Sequence, residues 1–264
     1  MAGDEATPPP FDVTIPSSAR MYDYALGGKD NYAVDRETAE RIFAAFPALR
    51  ELVVANRDFL TRAVRFVAEQ GVRQFVDLGA GIPTSPNVHE IAREVHPDAR
   101  VVYVDHDPIV AAHSRALRAD GGGVAVVEAD IREPDAVLSR IEDKGVIDFA
   151  EPVGLLFIDV LHFVTDEQDP AGIVARFRDR LAPGSHLALS AACSDGVDPE
   201  SAEKVTAAYK NATTPLVPRT GAEIEHFFQG FELVSPGLAN MAVWRADGPE
   251  IPGGLAGVAR KPAS

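Results

Sequence analysis

The chain has 264 residues, 46% of them hydrophobic, enough for one large α/β domain with an appendage around a buried core. A formal net charge of −15, with no cluster of Lys or Arg, argues against a sequence-independent grip on nucleic-acid phosphates, so no nucleic-acid partner is expected. The single cysteine, Cys193, excludes an intramolecular disulfide and a cysteine-based zinc site and points to a reducing, cytoplasmic setting. The start MAGDEATPPPFDV has neither the positive charge nor the apolar run of a secretory signal, and no stretch is long enough to span a bilayer.

Residues 1–16, with three consecutive prolines, read as a flexible arm. Ser17 or Ser18 can cap a short helix ending near Leu26, where Gly27 and Gly28 supply a left-handed stop. A second helix is predicted from Asp35 to Phe46. A third, bent or broken in two, follows Pro47 up to Gly71, since Leu49, Leu52, Val53, Phe59, Leu60, Val64 and Val67 recur at helical spacing. Residues 17–71 are thus expected to form a helical lid or extension ahead of any sheet.

Strands are predicted at 74–78, 100–104, 124–127, 154–159 and 186–190, with helices over 87–96, 108–119, 134–142 and 170–181. Short, continuously apolar strands alternating with helices indicate a parallel sheet covered on both faces. Segments 231–235 and 239–245, joined only by Pro236-Gly237, suggest a closing antiparallel hairpin. Residues 72–264 therefore read as a Rossmann-like domain of five parallel strands plus that hairpin. Phe227, Phe228, Phe231 and Trp244 are read as core, and Cys193, lacking a histidine partner, as no nucleophile.

Chemistry concentrates after the first strand, in Val76-Asp77-Leu78-Gly79-Ala80-Gly81-Ile82-Pro83-Thr84. Gly79 and Gly81 permit a sharp turn and close approach of a ligand. Asp105, ending the second strand, stands where a ribose-binding carboxylate is required, next to His106, whose backbone can shape the adenosine pocket. A dinucleotide turn wants a third glycine where Pro83 and Thr84 stand, so a pyrophosphate is disfavoured. S-adenosylmethionine has no phosphate but does have an ammonium and a sulfonium. Asp77 suits its methionine end, and Asp130, followed by Ile131, suits the adenine amino group.

Asp77-Leu78-Gly79-Ala80-Gly81, Asp105 and Asp130-Ile131 resemble the first three signature motifs of class I S-adenosylmethionine-dependent methyltransferases, with Ile82-Pro83-Thr84 departing from the superfamily's usual further glycine. The run Ser18-Ala-Arg-Met-Tyr-Asp-Tyr-Ala-Leu-Gly-Gly-Lys-Asp-Asn-Tyr32, with Gly81-Ile82-Pro83-Thr84, Asn56-Arg57-Asp58-Phe59-Leu60, Phe227-Phe228-Gln229-Gly230 and Ser235-Pro236-Gly237, is more specifically similar to the actinobacterial S-adenosyl methyltransferase family, formerly a domain of unknown function. The resemblance covers nearly the whole chain after residue 16. It implies a Rossmann-like fold, S-adenosyl-L-methionine as cofactor and S-adenosyl-L-homocysteine as product.

In methyltransferases of this fold the segment after the fourth strand faces the transferred methyl, which makes Asp159 and His162 the candidate catalytic residues and Asp159 a cofactor neighbour as well. The weightier alternative for His162 is a helix cap or a pocket wall. Tyr22 can belong to a lid, and Lys29, Arg57 or Arg62 could pair with the cofactor's carboxylate. No metal site is expected. The acceptor is a small molecule or a peptide, and no membrane partner is expected. A non-catalytic S-adenosylmethionine sensor or accessory protein, and a nicotinamide-dependent oxidoreductase, remain as alternative functions.

Overall fold

A computed structural model describes residues 12–107, 110 and 122–263. Helices α1 (Ser18–Ala25), α2 (Ala33–Ala45) and α3 (Leu49–Glu69) precede the sheet. The alternating part comprises β1 (Gln74–Leu78), α4 (Val88–Val95), β2 (Arg100–Asp105), β3 (Val124–Glu128), α5 (Pro134–Lys144), β4 (Gly154–Ile158), α6 (Pro170–Arg180) and β5 (His186–Ala192). Helices α7 (Pro199–Ala208) and α8 (Gly221–His226) and strands β6 (Glu232–Leu233), β7 (Ala239–Asn240) and β8 (Gly254–Arg260) complete it. The helix predicted over 108–119 lies outside the described residues, Val110 excepted.

The strand order is β3-β2-β1-β4-β5-β8-β6, with β7 also on β8. The pairs among β1 to β5 are parallel, as in Phe75 beside Val101 and Gly154, and β8 runs antiparallel to β5. Both faces are buried because successive side chains alternate between them. Phe75, Leu156 and Ala188 pack under α3 against Phe59, Val64 and Val67. Val76, Leu155 and Phe157 face Val137 and Ile141 of α5 and Phe177 of α6.

Helix α3 is one helix of 21 residues, and its apolar stripe packs on β4, β5 and β8, so it is part of the sheet's own cover. The cap over the strand ends comes from α1 and α2, with α7 laid against α2. Arg20 and Asp35 tie the first two together by a buried ion pair at 2.7 Å, and the same carboxylate accepts the Ser17 and Tyr32 N–H groups. Of the predicted arm, residues 12–16 are described, and Pro16 O accepts from Thr213 N–H at 3.0 Å.

The terminal strands are antiparallel as expected, but their pairing differs from a hairpin. β6 and β7 each pair with β8 (Glu232 with Arg260, Ala239 with Ala256) rather than with one another. The chain leaves β7 after Asn240 because Trp244 is driven into the core between Phe59 and Phe66, at 5.3 and 6.0 Å between ring centroids. Arg62 fixes that bend through Trp244 O and Met241 O, both at 2.8 Å. Strand β8 was not predicted, since Gly254-Leu-Ala-Gly-Val-Ala-Arg260 has the small residues of a loop. Smallness is what the position needs: a Cβ on Gly254 would stand 2.2 Å from Met241 Cε.

Candidate functional site

Where the strand order turns outward, at β1 and β4, a crevice opens at the carboxyl ends of the strands, the usual ligand position in such sheets. Here it deepens into a cavity of about 580 Å³. Asp77, Gly79, Ala80, Gly81, Thr84, Asp105, His106, Asp130, Ile131 and Asp159 all line it, as do Tyr22 and His162. Three of the expected residues, Lys29, Pro83 and Arg62, do not. Lys29 is exposed and away from the cavity, because the Gly27–Asn31 turn wraps the Asp23 carboxylate, which accepts from Asp30 N–H and Asn31 Nδ2 at 2.9 and 2.8 Å. Pro83 lines a side crevice with Asn87 and Tyr103 instead.

The glycine turn behaves as the motif requires. Gly79 has φ 74°, and a Cβ there would lie 2.4 Å from Val160 Cγ2, so it is fixed by strand packing. Gly81, at φ 64°, has nothing within 4 Å of where its Cβ would be and leaves the wall open to a ligand. Its N–H donates to Asp105 Oδ2 at 2.9 Å, while Asp107 N–H donates to Oδ1, also at 2.9 Å. Burial raises Asp105, and these two N–H groups oppose that shift.

Asp77 is 6% exposed and takes no hydrogen bond from a described residue. Burial pushes its pKa up to about 7, with Arg57 pulling it down and Asp105 adding to it. Arg57 Nη2 is spent on Thr84 O and Pro86 O, yet its Nε is buried without a partner. An unsatisfied guanidinium N–H beside an unsatisfied carboxylate is a donor and acceptor set for an amino acid end group, so the residues present fit the methionine part of S-adenosylmethionine. Asp130 is held by Arg132, with Nε at 2.9 Å. Burial raises Asp130, but the bonds from Arg132 outweigh it and leave the carboxyl below its usual value. Arg62, bound to Trp244 O and Met241 O, is taken up by the fold.

Beyond β4 the geometry revises the expected base. His162 is 3% exposed, and its Nδ1 accepts the Ala192 N–H at 3.1 Å, which places the ring proton on Nε2. Burial, then Arg219, pushes its pKa down to about 3. Arg219 grips Leu161 O and Val164 O at 2.9 and 2.7 Å and so fixes the 3-10 turn that carries the ring. His162 is a neutral wall. Cys193 is buried and its thiol is raised by burial.

Several residues of the site escaped the sequence reading. Asn56, 1% exposed, donates from Nδ2 to the Tyr22 hydroxyl at 2.9 Å and accepts from Ser190 Oγ at 2.6 Å. An amide on the apolar stripe between Val53 and Phe59 was the available signal. Tyr209, which follows α7, reaches the cavity from a segment whose helix was not predicted.

The fold and this site define a class I S-adenosylmethionine-dependent methyltransferase. The chain belongs to the S-adenosyl methyltransferase family, whose family model matches residues 4–262. It is similar to the crystal structure of a DUF574 family protein from Streptomyces avermitilis, with 43% identity, TM-score 0.90 and coverage of 95% of this chain and 99% of that one. A candidate methyltransferase from Thermobifida fusca is 41% identical, with TM-score 0.90 and coverage of 98% and 100%. Over 100 residues the chain is also 38% identical to an ornithine lipid N-methyltransferase of Singulisphaera acidiphila, a match covering 38% of this chain and 51% of that relative, about half its length. No described helix is long and apolar enough to cross a membrane.

Proposed function

We propose that the chain methylates a small, largely apolar organic acceptor held beneath the α1–α2–α7 cap. The observation that carries this reading is the cavity's division. Its strand-end half holds the carboxylates and the glycine turn, and its other half is walled by Met21, Ile42, Phe43, Leu52, Phe163 and Val205. A largely apolar chamber beneath the cap suits a compact molecule better than a peptide chain, whose backbone would need hydrogen-bond partners there. The net charge of −15 speaks against nucleic acid. The Singulisphaera relative acts, by name, on an amino-acid lipid, in keeping with an acceptor that has an apolar part.

In this assignment Asp77 holds the cofactor's ammonium and Arg57 Nε its carboxylate, Asp105 takes the ribose hydroxyls, and Ile131, His106 and Asp130 frame the adenine. S-adenosylmethionine supplies an electrophilic methyl on sulfur, and the chain's own part is to orient the acceptor and exclude water. Calorimetric titration with S-adenosylhomocysteine tests the first half. Micromolar binding, weakened at least about tenfold by Asp105→Ala, is expected, and absent binding by folded wild-type protein would overturn the assignment. Release of S-adenosylhomocysteine from a panel of small acceptors tests the second half and separates an enzyme from a sensor.

A further inference from the structure

Asp159 directly follows β4 in the left-handed conformation, φ 58°, which a non-glycine residue adopts only under constraint. Its backbone is pinned there: its N–H is shared between Ser190 O at 3.1 Å and Ser190 Oγ at 3.0 Å. The carboxylate is not pinned. It takes no hydrogen bond from a described residue, and burial alone pushes its pKa up to about 7. The nearest base, His162 Nδ1 at 3.7 Å, has its lone pair committed to Ala192 N–H and offers no proton.

The surroundings place this carboxylate on the acceptor side. Burial first, and the charge of Asp159 second, raise both the Tyr22 and the Tyr209 phenols, so both cap tyrosines feel it. Asp77 answers instead to Arg57 and Asp105. Phe163 packs obliquely on Tyr209 at 5.8 Å, and both rings line the cavity that Asp159 also lines. Under the reading above, the cofactor's ammonium is matched by Asp77, and its sulfonium carries no N–H to donate. A half-buried carboxylate with no donor among the described residues, lining the same cavity as these aromatic rings, calls for a second cation that has N–H bonds.

We infer that the acceptor is an amine with an apolar body, which enters as an ammonium ion, binds Asp159 and yields its proton to that carboxylate. This rests on the cavity being the methyl-transfer site. An N–H bond breaks, its proton passes to a carboxylate oxygen, and the freed nitrogen lone pair forms the N–C bond. The S–CH3 bond breaks as it does so, its electron pair staying on sulfur. The products are S-adenosylhomocysteine and a methylated ammonium, and Asp159 returns its proton to water when the cavity opens. A neutral alcohol would draw no Coulombic gain from the same group, so the site discriminates by charge as well as shape.

The test is calorimetric, on the full chain loaded with S-adenosylhomocysteine at pH 8. Two isosteric pairs serve as probes: 2-phenylethylamine against 2-phenylethanol, and octylamine against octanol. Wild-type protein should bind at least one amine about tenfold or more tighter than its alcohol. Asp159→Asn, which tolerates the left-handed backbone, should abolish that preference while binding S-adenosylhomocysteine within about threefold of wild type. Equal or stronger binding of both alcohols, or a preference that survives in Asp159→Asn, overturns the inference and leaves the cofactor assignment standing. Failure of the wild type to bind S-adenosylhomocysteine brings down the methyl-transfer reading itself.

Discussion

Asn56 joins the sheet to the cap by donating from Nδ2 to the Tyr22 hydroxyl across 2.9 Å. Its Oδ1 accepts from Ser190 Oγ at 2.6 Å, and Ser190 Oγ in turn accepts the Asp159 N–H. One buried amide therefore links α1, β5 and the residue that closes β4. Asn56→Leu keeps the volume but strands the Ser190 hydroxyl, and a loss of about 1–3 kcal/mol is expected from denaturant unfolding. Tyr22→Phe removes both the acceptor of Asn56 Nδ2 and the donor to Val53 O, 3.3 Å away, and a loss of similar size is expected. A double-mutant cycle should show a coupling above about 0.5 kcal/mol, and zero coupling would mean the bond holds nothing together.

The sheet and the strand-end lining of the cavity were legible because they depend on local pattern. Apolar strands announced β1 to β5, and Asp77, Gly79, Gly81, Asp105 and Asp130 stand at or just beyond the carboxyl ends of β1, β2 and β3. What escaped depends on contacts distant in sequence. Gly254–Arg260 is a strand only because β5 and β7 lie beside it, and Trp244 leaves β7 for a pocket built by Phe59 and Phe66. Lys29 looked available from its charge, yet the turn carrying it is shaped by Asp23 and faces outward. His162 looked like a base from residue type alone. An N–H from Ala192, thirty residues on, decides otherwise.

Cofactor affinity should depend on pH through Asp77. Its pKa in the folded, unliganded protein is about 7 against 3.8 in the unfolded chain, so the native state binds more protons between these values. Asp159 behaves in the same sense. Unfolding free energy contributed by these groups therefore falls as pH rises from about 4 to 7 and is level above 7. Binding of an ammonium needs the ionised carboxylate, so S-adenosylhomocysteine affinity should rise with pH, by up to about tenfold per unit below pH 7, and flatten near pH 8. Asp77→Asn should bind weakly with a flat profile. A wild-type affinity unchanged between pH 5.5 and 8 would contradict the role given to Asp77.

The cap should hinge on Arg20 and Asp35, whose side chains are 3% and 0% exposed. Asp35→Ala leaves the guanidinium buried without its carboxylate and frees the Ser17 and Tyr32 N–H groups as well. A destabilisation of about 3–5 kcal/mol is expected. Replacing both partners, as Arg20→Met with Asp35→Leu, should cost less than Asp35→Ala alone, since no charge is then stranded. The comparison is read from denaturant midpoints at matched slopes. If the double variant were the less stable of the two, the pair would contribute net Coulombic energy.

His162 should stay neutral throughout the working range. Its Nδ1 lone pair is taken by Ala192 N–H, and its backbone is held by Arg219 at Leu161 O and Val164 O and by Val217 N–H at His162 O, 2.8 Å. Burial first, and the charge of Arg219 second, hold the folded pKa at about 3, below the unfolded 6.5. The neutral form thus adds stability that is present above pH 6.5 and is lost as pH falls from there toward 3. Ring ¹⁵N spectra should show one neutral tautomer between pH 5 and 9, protonated on Nε2. His162→Asn can present its carbonyl oxygen to the same N–H and should retain at least about a tenth of the methyl-transfer rate, whereas loss of a general base costs about 10²–10⁴-fold. An imidazolium signal appearing near pH 6.5, together with a rate loss of that size, would restore His162 as the base and remove that duty from Asp159.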